Sequence, residues 1–97
     1  MKAIFIAFDQ AHREAVIELL EKSACRGFTS FGEIQGRGTH TGEPHYGTHA
    51  WPSLGNAILT IVDDDRLETV MQKLKALDDS KPRLGLRAFV WDILKTI

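Results

Sequence analysis

Cysteine is nearly absent from this chain, neither sign of charge is in excess, and no apolar run is long. Cys25 stands alone among 97 residues, which excludes an intramolecular disulfide framework and a four-cysteine zinc site. Lys and Arg number 12 against 13 Asp and Glu, a net charge of −1, so the broad basic surface of a nucleic-acid-coating protein is missing. The opening apolar run, residues 2–8, is too short to cross a membrane and lacks a signal-peptide cleavage pattern. A cytoplasmic location with no membrane insertion is the expectation. A chain of this length supports one core, and residues 1–97 are read as a single domain.

What is present is a regular alternation of element types. Residues 2–8 (KAIFIAF) are apolar on both faces of a period-two pattern, as a buried strand would be. Asp9 is placed to cap a helix whose apolar stripe is Ala15, Val16, Leu19 and Leu20. That helix should stop near Arg26-Gly27, with Gly27 as a left-handed cap. Residues 28–35 read as a second strand, with Gly32 marking a bulge. Residues 56–62 (NAILTIV) repeat the two-faced apolar pattern. Asp63, Asp64 and Asp65 then form a capping cluster, with Glu68 three residues after the last of them. The helix behind them shows its stripe at Leu67, Val70, Met71, Leu74 and Leu77, and residues 86–94 close the chain as a fourth strand. The order βαββαβ defines an α+β, ferredoxin-like fold with the first and third strands central. Two helices cover only one face of such a sheet. Both faces of its central strands are apolar, so the uncovered face calls for further copies of the chain.

Residues 36–55 differ in kind. They hold Gly36, Gly38, Gly42, Gly47 and Gly55, two of the three prolines and three of the four histidines, with no apolar period. A segment of that length without regular structure inside a small domain is usually functional or mobile. His40, His45 and His49 present imidazoles that suit a transition metal, and Glu43 adds an oxygen donor; solvated loop histidines are the plainer reading. Trp51-Pro52 reads as an anchor for the end of the loop. Cys25 has no neighbouring base and reads as a structural thiol, and no Ser/His/Asp or Cys/His arrangement is legible. The chain is therefore not read as an enzyme.

Three short motifs carry a family resemblance: Gly27-Phe28-Thr29 at the start of the second strand, Glu33-Ile34-Gln35-Gly36-Arg37-Gly38 running into the loop, and Phe89-Val90-Trp91-Asp92-Ile93 in the last strand. With the βαββαβ order and the long loop, the chain resembles the nitrogen-regulatory P-II and P-II-like signalling proteins. The resemblance implies a homotrimer packed through the open sheet faces, and adenine-nucleotide sites in the clefts between subunits. It also implies a T-loop, here about residues 37–55, that docks on a regulated partner such as a membrane transporter, heavy-metal efflux pumps among them. Nucleotide contacts then fall at Thr29, Gly36, Arg37, Gly38, Arg83 and Arg87. One departure is plain. The family's glycine-rich phosphate loop before the last strand is replaced by Ser80-Lys81-Pro82-Arg83-Leu84-Gly85-Leu86-Arg87, where one glycine remains and a proline removes an amide donor. Nucleotide binding much weaker than the family's, or none, is the expectation, with any residual binding carried by the charge of Arg83 and Arg87. The rival readings are a divalent-cation-binding trimer, a small ferredoxin-like enzyme and a ligand-free oligomerisation module.

Overall fold

The structure, a computed structural model, describes residues 1–23, 25, 27–37, 44–45, 55–81 and 85–97. In chain order the elements are β1 (Lys2–Asp9), α1 (Arg13–Lys22), β2 (Phe28–Ile34), β3 (Gly36–Arg37), β4 (Pro44–His45), β5 (Gly55–Val62), α2 (Leu67–Ser80) and β6 (Arg87–Asp92). Four of the strands form one antiparallel sheet in the order β2-β5-β1-β6. The two runs that are apolar on both faces, β1 and β5, occupy its middle. The expected ferredoxin-like arrangement is the one observed.

Strand alternation sorts the side chains cleanly. Ile4, Ile6 and Phe8 of β1 and Ile58 and Val62 of β5 point toward the helices, where they pack with Val16, Leu20, Val70, Leu74 and Leu86. Full burial of each such side chain contributes about 1.5–3 kcal/mol, so this cluster is the main source of stability. Leu19, Leu67, Met71 and Leu77 pack around its margin, which accounts for the α2 stripe; on α1, Ile17 joins the margin and the expected Ala15 does not. The opposite face carries Ala3, Phe5 and Ala7 of β1 and Ala57, Leu59 and Ile61 of β5, flanked by Phe31 on β2 and by Phe89 and Trp91 on β6. Neither α1 nor α2 lies over it.

Helix ends depart from the sequence expectation in informative ways. Asp9 does cap, its Oδ1 accepting from the Ala11 N–H at 2.8 Å, but it opens a 3-10 turn (Gln10–His12) before α1 begins. α1 stops at Lys22, earlier than Arg26. Ser23 ends it, its N–H donating to the Leu20 carbonyl at 3.2 Å and its hydroxyl to the Leu19 carbonyl at 2.6 Å. Gly27, at φ +135°, is therefore not the helix cap; it is the residue that turns the chain into β2. The aspartate cluster before α2 makes no side-chain cap. Asp63 and Arg66 close a 3-10 turn through the backbone at 3.0 Å, and Asp64 instead accepts from the Met1 ammonium at 2.6 Å. That ammonium holds the Asp64 carboxyl below its ordinary range.

The β2 bulge is present. Phe31 opposes Ala57 while Ile34 opposes Gly55, so β2 carries one residue more than β5 between those pairs, and Gly32 lies within the insertion. Within residues 36–55, where no element was legible, Gly36 pairs with His45 and Arg37 with Pro44 in a two-stranded ladder. The last strand is shorter than its apolar run, ending at Asp92, whose carboxylate accepts from the Lys2 ammonium across the sheet edge.

Candidate functional site

At the outer edge of the sheet, the turn into β2 and the second half of β5 line an open cavity of about 180 Å³, bounded by Gly27, Phe28, Thr29, Leu59 and Ile61. The strand register places Thr29 beside Leu59, with Phe28 beside Thr60. Leu59 and Ile61 project from the face away from the helices, so the cavity opens onto the uncovered side of the sheet. Its lining is apolar apart from the Thr29 hydroxyl and the backbone of Gly27. Such a surface suits a flat heterocycle with one or two hydrogen-bonding edges, and none of its lining residues is a cation for phosphate.

The cation lies elsewhere. Arg87 opens β6 and pairs with Ala7, on the same face as Thr29 but on the opposite edge of the sheet. Three strand spacings separate the two edges, about 14 Å. One Arg87 Nη1 donates to the Leu86 carbonyl at 2.8 Å, so the side chain is held against its own strand. The approach to it is fixed by Asp78 of α2, whose Oδ1 accepts from the Leu86 N–H at 3.1 Å, and by Gly85 in the left-handed region at φ +60°. Thr29 and Arg87 of one chain therefore sit on opposite edges of the sheet, with the uncovered apolar face between them.

Gly36 and Arg37 are brought together with β4 just beyond the end of β2, at the root of the loop. That root is tight. A Cβ on Gly55 would sit 3.2 Å from Ile34 Cγ1 and 3.5 Å from the Phe8 carbonyl, and the buried Asn56 amide donates to the Gly55 carbonyl at 2.8 Å. Of the other expected site residues, His45 is in β4, while Gly38, His40, Glu43, His49, Trp51 and Arg83 lie outside the described residues. Among the described residues, no three metal-ligating side chains converge. The transition-metal expectation finds no support there.

Cys25 is half-buried against the core, and burial pushes its thiol above the ordinary range, with the Thr60 hydroxyl and the Lys73 charge pulling the other way. A thiol held protonated is a packing group, as the sequence suggests. The sequence reading missed Leu59 and Ile61 as lining residues. Their signal lay only in the two-faced character of β5, which says that both faces are covered and not by what.

The open apolar face is the remaining feature. Phe31, Phe89 and Trp91 expose 43%, 59% and 49% of their surface, and Phe5 and Phe31 stack tilted with ring centroids 6.3 Å apart. Rings at that exposure on one sheet face form an association surface rather than isolated surface hydrophobes. Among the described residues, no helix is long and apolar enough to cross a membrane.

The four-stranded antiparallel sheet with two helices on one face defines a ferredoxin-like protein. A family model described as nitrogen regulatory protein P-II matches residues 1–97, and the chain belongs to that family. No curated protein matches it by sequence. Among solved structures it is similar to CPII of Thiomonas intermedia K12 bound to ADP, AMP and acetate, at 21% identity and TM-score 0.76, covering 95% of this chain and 84% of that one. The same protein bound to ADP and bicarbonate is similar at 22% identity and TM-score 0.75, with the same coverage. A PII-like signalling protein of Thermus thermophilus is similar at 18% identity and TM-score 0.65, covering 93% of this chain and 83% of that one. These likenesses establish the fold.

Proposed function

We propose that this protein is a P-II-like signal transducer. It binds an adenine nucleotide in the clefts of a homotrimer and passes its bound state, through the segment after β2, to a regulated partner. The partner class we favour is a membrane transporter, heavy-metal efflux pumps included. The observation that carries the reading is the split site: an apolar, Thr29-lined cavity on one edge of the uncovered face and Arg87 on the other. A base on one edge and a phosphate chain reaching the next subunit's edge match a nucleotide in size and polarity. The relatives described as bound to ADP and AMP support that ligand class, and their acetate and bicarbonate suggest a small oxyanion as a second ligand.

Phosphate recognition in this chain rests on charge. Arg83 and Arg87 supply it, Gly36, Arg37 and Gly38 offer backbone at the loop root, and the connection before β6 retains Gly85 alone of a glycine-rich cradle. Calorimetry with ADP and ATP on the full chain is the test. Binding is expected to be weak, to fall as salt rises, and to drop about tenfold or more in Arg87→Ala, the loss of a charge-assisted bond. Failure of ADP to bind at millimolar concentration sinks the reading.

A further inference from the structure

We propose that Thr60, which lies behind the nucleotide cavity and does not line it, is a positioning residue that holds the cavity's backbone wall in place. The inference rests on the nucleotide reading above and deepens it. Thr60 sits in β5 between two lining residues, Leu59 and Ile61, but its side chain points to the other face and is fully buried. Its hydroxyl donates to the Gly27 carbonyl at 2.6 Å, a contact between residues 33 apart in sequence. Gly27 is the lining residue with most freedom. Its φ of +135° is a conformation open to glycine, and no atom stands within 4 Å of where a Cβ would be, so packing does not hold it.

The physical consequence is specific. Valine has nearly the same shape as threonine in a β-strand, so a buried threonine in an otherwise apolar cluster is retained for its hydroxyl. Here that hydroxyl, which also meets the half-buried Cys25 thiol, ties Gly27 of the cavity wall to the central sheet. Gly27, Phe28 and Thr29 are then preorganised before ligand arrives, and binding avoids the entropy of ordering them. Gly27 is itself exposed, so water replaces the lost partner of its carbonyl when the hydroxyl is removed, and the fold survives the substitution.

The test uses the full chain with Thr60→Val and Thr60→Ser, titrated calorimetrically with ADP and with adenosine at two salt concentrations. Thr60→Val is expected to weaken ADP and adenosine by the same factor, roughly fivefold, which is what one neutral hydrogen bond carries. The salt dependence should stay that of the parent, and Thr60→Ser should restore affinity. A second measurement needs no ligand: amide exchange at Phe28 and Thr29 should quicken in Thr60→Val and slow again in Thr60→Ser. Parent-like ADP affinity in Thr60→Val overturns the positioning role, as does unchanged exchange. A loss that Thr60→Ser fails to repair also overturns it, because the hydroxyl is then not the cause. If the parent chain itself ignores both ADP and adenosine, the nucleotide reading falls, and the exchange data show separately whether the tether exists.

Discussion

Single residues set the shape of the cavity wall and its surroundings. Gly27 at φ +135° meets a conformational demand, since there is room for a side chain but not the backbone freedom to carry one. Gly27→Ala should therefore cost about 1–3 kcal/mol in urea unfolding, without any clash to relieve. Gly55 makes the opposite case, because its φ is ordinary and its space is not. A side chain there must displace Ile34 at the root of the loop. Gly55→Val is expected to destabilise by about 1–3 kcal/mol, read in the same unfolding experiment. Cys25 offers a pH test. Its thiol is raised in the folded chain, so folding favours the protonated form; that stability is full below the unfolded thiol's pKa and is lost as pH rises through the folded one. Alkylation of the native chain should reach half its limiting rate at a higher pH than alkylation of the denatured chain, and Cys25→Ala should flatten the alkaline loss of stability.

At the scale of elements, the order and the strand positions were readable, because they rest on apolar period alone. Two strands apolar on both faces had to be central, and each helix's stripe held its buried residues, although on α1 Ile17 packs on the core and Ala15 does not. The ends were less readable. α1 stops at Ser23 because a serine hydroxyl bonds back to the Leu19 carbonyl, a device that resembles no stop signal in sequence. Asp64 looks like part of a helix cap and instead meets the chain's own ammonium, a partner 63 residues away. The site divides in the same way. Thr29 and Arg87 were named only through the family resemblance of motifs near them, whereas Leu59 and Ile61 line the cavity only through the register of β2 on β5. Thr60 could not be told from a core valine. Leu74, near full burial in the middle of α2, measures how firmly the helices are bound to the sheet. Leu74→Ala should cost about 2–5 kcal/mol by thermal or chemical unfolding.

For the whole molecule, the uncovered face is the feature with most to explain. Trp91 is half-exposed on that face and remote from the cavity edge. Trp91→Asp should place a charge in the proposed trimer interface and reduce the particle mass, by light scattering after size exclusion, from the expected count of about three chains to one. Far-UV dichroism should be unchanged and ADP binding lost with the assembly. The two-edged site has a genetic consequence as well. In the proposed three-fold ring, each cleft would take Thr29 from one subunit and Arg87 from the next, so neither chain would own a site. A chain disabled at Thr29 and a chain disabled at Arg87 are each silent alone. Coexpressed, every mixed ring contains one cleft built from the two sound edges, and the pair of inactive alleles complements.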